Sequence, residues 1–319
     1  MSYYRQQLPQ LQGGQFITDG GLETTLIFQH NLELPCFAAF DLLKNASGRK
    51  ILHEYFSNYC EIAKQHKLGF VLESPTWRAN HDWGQKLGYS QVELNEFNAK
   101  AIAMLVELRN EHESSDSSIV ISGCVGPQDD GYDAKSFMNE QEAQHYHAAQ
   151  IEVFQHSQAD MVTALTMTYP QEAIGIVRAC QAADIPIAIS YTVETDGRLP
   201  NGDELGKAIE QVDKATANGP AYYMINCAHP THFIDALKSN ANWLSRIHGI
   251  RANASCKSHA ELDEATELDE ATELDDGNPE QLGQQYQTLL NKLKNANVLG
   301  GCCGTDERHL QHICHALQV

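Results

Sequence analysis

The chain has no apolar run approaching the roughly 20 residues that span a bilayer, so no part of it reads as a membrane helix. Its opening MSYYRQQLPQLQGG has neither the basic start nor the apolar stretch of a signal peptide, which points to a soluble, cytoplasmic protein. Positive charge is scarce as well. Lys and Arg total 22 against 42 Asp and Glu, and the resulting net charge of -20 repels phosphate backbones and anionic lipid, so neither nucleic acid nor membrane is an expected partner. A Gly-x-Gly-x-x-Gly turn after the first strand is missing too, which counts against a doubly wound dinucleotide-binding sheet.

Cysteine, by contrast, is plentiful. Nine is an odd number, and with no secretory signal the expected state is reduced thiols and not a disulfide framework. Cys36, Cys60, Cys124, Cys180 and Cys314 sit among apolar neighbours, where a thiol packs as a small hydrophobe.

With 319 residues, 42% of them hydrophobic, the chain can bury the core of one large α/β domain spanning 1–319. Eight short apolar runs rich in β-branched residues, at 15–19, 69–73, 119–123, 160–165, 185–191, 222–227, 247–253 and 298–302, alternate with segments of helical spacing. IVIS and IPIAIS are apolar throughout, as strands covered on both faces are. Ser90 with Glu93 has capping-box spacing, and Leu94, Phe97, Ala101, Leu105 and Leu108 then fall on one helical face. Pro170 suits a first helical turn, and Ser258 with Glu261 repeats the capping spacing. Eight such pairs predict a (β/α)8 TIM barrel, with its chemistry where the strands end. The tandem ELDEAT repeat at 261–272, extended to Asp275, reads as a solvated acidic insertion at 261–275, because it lacks the glycine-bearing loop pattern of a calcium site.

Chemistry concentrates at Gly300-Gly301-Cys302-Cys303-Gly304, the end of the eighth run. Flanking glycines allow tight turns that aim two adjacent sulfurs at one point, and Cys227, ending the sixth run, brings a third thiol to the same mouth. Three thiolates with an open fourth position match the tetrahedral preference of zinc at a reactive site. An all-sulfur shell favours activation of an incoming thiol over hydrolysis, since the bound sulfur loses its proton but stays electron-rich.

TDGGLETTL at 18–26, INC at 225–227 and GGCCGTDERH at 300–309 resemble the homocysteine S-methyltransferase family, in order and spacing along nearly the whole chain. The resemblance implies a zinc-dependent barrel in which Cys227, Cys302 and Cys303 hold Zn2+ and Asp19 with Gly20 binds homocysteine, with Asn226 a further substrate contact. It implies a small methyl donor, S-methylmethionine or S-adenosylmethionine before betaine, and methionine as product. One departure bears on the acceptor. Many members carry a glutamate at the end of the fourth strand that takes the amino group of homocysteine, whereas this chain reads ALTMTY at 164–169. Glu73 and Glu194 are candidates to replace it, or the acceptor is a different small thiol, or the chain is a non-catalytic barrel that binds zinc and a thiol. Trp77, Tyr169 and Tyr191 offer aromatic faces for a cationic donor. His229, His309 and His312 are expected to be solvent-facing or capping, not metal ligands.

Overall fold

The computed structural model describes residues 2–132, 136–238, 241–258, 260–261 and 274–317. Eight parallel strands close on themselves in sequence order: β1 (Phe16–Ile17), β2 (Gly69–Glu73), β3 (Ile119–Val125), β4 (Met161–Met167), β5 (Ile187–Tyr191), β6 (Tyr222–Asn226), β7 (Ile247–Ala252) and β8 (Val298–Gly301). Closure is by β8 on β1, with Ile17 opposite Leu299. Each strand leads to a helix: α1 (Ala46–His66), α2 (Gln91–His112), α3 (Glu140–Gln155), α4 (Pro170–Ala182), α5 (Leu205–Thr216), α6 (Pro230–Phe233), α7 (Pro279–Lys292) and α8 (Glu307–Leu317). This is the (β/α)8 barrel expected from the alternating pattern, with no strand end shifted by more than two residues. Among the described residues no helix is long and apolar enough to cross a membrane.

Local signals act as their chemistry requires. Ser90 and Glu93 form a reciprocal capping box at the start of α2. All five residues of the α2 stripe are buried against the barrel, and at about 1.5–3 kcal/mol per fully buried apolar side chain they contribute on the order of 10 kcal/mol before ordering entropy. Pro170 occupies the first turn of α4. Ser258 and Glu261 make the reciprocal contacts expected of them, while most of the ELDEAT repeat, 262–273, lies outside the described residues.

The barrel interior is filled from its N-terminal end. Phe16, Met161, Tyr222 and Val298, each the first residue of its strand, form a buried cluster joined by Leu8 from the N-terminal segment. Arg109 and Asp160, both fully buried, pair at 2.7 Å beneath it, and the backbone N–H groups of Tyr3 and Tyr4 donate to the same carboxylate. Plugging one end leaves the other, where the strands finish, as the open mouth. Cys60, Cys124, Cys180 and Cys314 are buried as expected, but Cys36 is exposed. It lies in the loop before α1 with φ 56° and lines the cavity at the barrel mouth.

Candidate metal centre and substrate cavity

The three sulfurs meet. Cys227 follows β6, and Cys302 and Cys303 follow β8; their Sγ atoms all lie within 4.8 Å of one another. Backbone bonds fix both segments, Cys227 N–H donating to Arg251 O (3.1 Å) and Cys302 N–H to Ala252 O (2.8 Å), so β7 holds β6 and β8 in register around the sulfurs. Gly300 and Gly301 are required there because a Cβ on either would collide with Thr18 or Thr305. In this structure the Cys227 and Cys302 sulfurs are in direct contact and the Cys303 thiol stands beside them. Sulfurs gathered closely enough to share one ion are also close enough to bond to each other.

Zinc suits this donor set. With Zn–S distances of about 2.3 Å, two sulfurs on one tetrahedral ion stand roughly 3.8 Å apart, inside the spread seen here. The Tyr132 hydroxyl is 3.5 Å from Cys303 Sγ and the Asn226 Nδ2 is 4.0 Å from Cys302 Sγ, so both can donate toward sulfur. Burial pushes the Cys303 thiol up from its ordinary value, which opposes ionisation unless a cation is present.

Asn226 is foremost a brace. Its Oδ1 accepts from Thr166 N–H (2.9 Å) and Ser190 Oγ (2.6 Å), and its Nδ2 donates to Thr166 Oγ1 (2.8 Å). This holds Thr166 at φ 63° on the β4 irregularity, beside Cys227 at φ 53°, two left-handed positions that non-glycine residues occupy at a cost.

The sulfurs line a cavity of about 720 Å³ at the mouth, together with Asp19, Glu23, Glu73, Trp77, Arg78 and Arg251. Arg251, from β7, is the hub of one wall. It donates to Asp19 Oδ1 at 2.6 Å, pairs with Glu73 Oε2, and donates to the carbonyls of Gly20 and Gly301. Tyr55 donates to the other oxygen of Asp19. Burial nevertheless raises the Asp19 carboxyl above its ordinary value, against the pull of Arg251. Glu73 Oε1 is buried with no hydrogen-bond partner. Glu23 faces the same space, and burial holds its carboxyl up at about 7.

Of the residues singled out from sequence, Asp19, Gly20, Glu73, Asn226, Trp77 and the three cysteines converge on this cavity, whereas Glu194, Tyr169 and Tyr191 do not line it. Tyr169 is buried against Phe137 and Tyr191 stacks on Tyr223, so neither offers a face to a donor. His229 caps α6 as expected. His309 is not solvent-facing: it is fully buried, bonded to Asp306 and to the Asp276 carbonyl. Sequence reasoning missed Arg251, Arg78, Glu23 and Tyr132. For Arg251 a signal existed, since a lone arginine closing an apolar run at the reactive end of a strand is costly unless paired.

Comparison with known proteins agrees with this geometry. The profile described as homocysteine S-methyltransferase matches residues 16–317. No curated protein matches the chain significantly. Among solved structures, the homocysteine methyltransferase MmuM from Escherichia coli superposes in its oxidized form with a TM-score of 0.74 at 15% identity, covering 93% of this chain and 94% of that one. Its metallated form gives 0.72, again at 15% identity and covering 99% of each chain. Its apo form gives 0.67 at the same identity and coverage. At that identity the superposition speaks for the fold, while the profile over nearly the whole length speaks for the family. The chain belongs to the homocysteine S-methyltransferase family, enzymes that methylate a thiol.

Proposed function

We propose that this enzyme transfers a methyl group from a small sulfonium donor, S-methylmethionine or S-adenosylmethionine, to homocysteine, giving methionine, with zinc held by Cys227, Cys302 and Cys303. The observation that carries the reading is the convergence of three sulfurs from two distant segments on one cavity wall. Bound zinc would supply one thing, deprotonation of the incoming thiol at neutral pH. A free thiol is only a few per cent ionised near pH 7, so this amounts to about 2 kcal/mol.

The chain's own residues supply the larger share. Holding sulfur and methyl carbon in line is worth roughly 7–11 kcal/mol, and the rigid β6, β7 and β8 ends provide the fixed frame. Asp19 and Gly20, tied to Arg251, form the wall beside the sulfurs, and Asn226 keeps the Cys227 turn in place. Glu73 Oε1, buried and without a partner, is suited to accept from the acceptor's ammonium, in place of the absent fourth-strand glutamate. In the transfer the acceptor sulfur forms a bond to the methyl carbon as the donor's sulfonium–carbon bond breaks, and the donor leaves as a neutral thioether.

The test is reduction of the protein, zinc loading and quantification, then assay with homocysteine and S-methylmethionine, S-adenosylmethionine or betaine in turn. One zinc per chain and methionine from a sulfonium donor are expected; methionine from none of them removes the reading. The missing fourth-strand glutamate favours a second reading, a different small thiol as acceptor, which predicts turnover with other thiols and none with homocysteine. Glu73→Ala is expected to raise the homocysteine KM about tenfold or more, and an unchanged KM and kcat removes Glu73 from the acceptor site.

A further inference from the structure

The cavity holds a second pair of charged groups that neither the sulfurs nor the acceptor wall employs. Arg78 lies in the loop after β2 and is only 6% exposed. Its guanidinium is sandwiched between Trp77 and Trp83, with Cζ 4.1 Å and 3.6 Å from the ring centroids. Nη1 donates to the Asp129 carbonyl at 3.2 Å, Nη2 stands 3.6 Å from Asp130 Oδ2, and Nε is buried with no hydrogen-bond partner. Two indole faces fix this arginine's plane while leaving its donors under-used, the arrangement that suits recognition of a planar carboxylate.

Glu23 lines the same cavity. Among the described residues its carboxylate makes no ion pair, although the charges of Arg251 and Arg78 reach it. Of the other cavity cations, Arg251 is taken up by Asp19 and Glu73, and Lys257 stands 3.6 Å from Asp275, as Arg78 does from Asp130, but Arg78 alone of the three keeps a buried donor, Nε, without a partner. A guanidinium with one donor unsatisfied and a carboxylate that makes no ion pair among the described residues therefore face a common space. Their complement is a ligand carrying a carboxylate and a cation.

Resting on the methyl-transfer reading, we propose that Arg78 and Glu23 hold the α-amino acid end of the methyl donor, Arg78 its carboxylate and Glu23 its α-ammonium. Physical reasoning assigns Glu23 to the ammonium and not to the sulfonium. The sulfonium charge vanishes as the methyl group leaves, so a carboxylate against it would stabilise the ground state and slow transfer. The α-ammonium keeps its charge throughout. Binding it lowers KM and leaves the barrier from the bound state unchanged. Betaine, whose α-nitrogen is a trimethylammonium with no N–H to donate and is itself the centre that loses the methyl group, would satisfy only the Arg78 half of the clamp.

The test is steady-state kinetics of the zinc-loaded enzyme with S-methylmethionine and homocysteine varied separately, for Glu23→Gln, Arg78→Met and Arg78→Lys. Loss of a charge-assisted bond predicts a donor KM raised about 10- to 100-fold, with kcat and the homocysteine KM within about threefold, and partial recovery in Arg78→Lys relative to Arg78→Met. A raised homocysteine KM with an unchanged donor KM, or no change in either, overturns the proposal. Arg78→Met empties a stacked, buried site and can lose folding; the near-isosteric Glu23→Gln, with an unchanged thermal midpoint, keeps the question answerable. Should the wild type form no methionine at all, calorimetry of S-methylmethionine binding still decides. Binding to wild type that Glu23→Gln weakens tenfold upholds the clamp while the reaction assignment falls, and equal binding to both overturns it.

Discussion

Asp306 shows how a single side chain at the rim serves both electrostatics and secondary structure. It accepts from Arg308 N–H and its guanidinium, from Gln29, and faces His309 Nδ1 at 3.0 Å. Burial on its own would raise this carboxyl, but the bonds from His309 and Arg308 outweigh it and hold the group well below the usual carboxylate range. A carboxylate depressed in the folded state adds stability above its unfolded value, near pH 4, and loses it as pH falls toward the folded value. Asp306→Asn is therefore expected to lower stability by about 1–3 kcal/mol at pH 7. In urea melts the gap to wild type should narrow steadily below about pH 4; a gap independent of pH would contradict the ionic account. The acidic Asp306 and its partners Arg308 and His309 were visible in GGCCGTDERH, but Gln29, from the segment after β1, and Asp276, which fixes Arg308, come from elsewhere in the chain, so the full network was not.

At the scale of elements, the β4, β5 and β6 ends are tied by one buried amide. Asn226 contacts Thr166 and Ser190 and adjoins Cys227, so it couples three strands to the sulfur cluster. Asn226→Ala leaves a buried N–H and a hydroxyl without partners, at about 1–3 kcal/mol each. The expected outcome is a lower thermal midpoint and a 10- to 100-fold loss of zinc affinity, as for other residues that orient metal ligands, read by competition with a chromogenic chelator. Retained affinity would show that the Cys227 turn stands without the amide. On β8 the constraint is steric. Gly300→Ala forces a methyl group into Thr18 and is expected to destabilise the barrel seam by about 1–3 kcal/mol, measurable in the same melts. The glycines were legible as an aid to turning; that Thr18, just past β1, and Thr305 leave no room for a side chain on them depends on how the segments pack when the barrel closes and was not.

For the molecule as a whole, a metal that binds only the assembled site stabilises the fold by mass action. Free zinc at about 1,000 times its dissociation constant adds about 4 kcal/mol. For the reduced protein, a chelator is accordingly expected to lower the thermal midpoint by several degrees and zinc to restore it, with no such response in Cys303→Ser; an unresponsive wild type would mean that the three sulfurs do not hold the ion. How far the sequence foretold this architecture can be traced through particular residues. Periodicity alone determined the eight strand-helix pairs, because alternating apolar runs and amphipathic stripes have few ways to bury themselves. Cys227 and the Cys302–Cys303 pair pointed to one cluster of sulfurs, because thiols beside glycines at strand ends can be aimed at a common point, and the structure brings the three together. Tertiary structure alone decided how charges were shared. Arg251 ties up Asp19 and one oxygen of Glu73, Tyr169 and Tyr191 turn into the core, and Glu23 and Arg78 emerge in the cavity. A sequence fixes which ionisable groups exist, but their pairing depends on distances between chain segments up to hundreds of residues apart, and those are set only when the barrel closes.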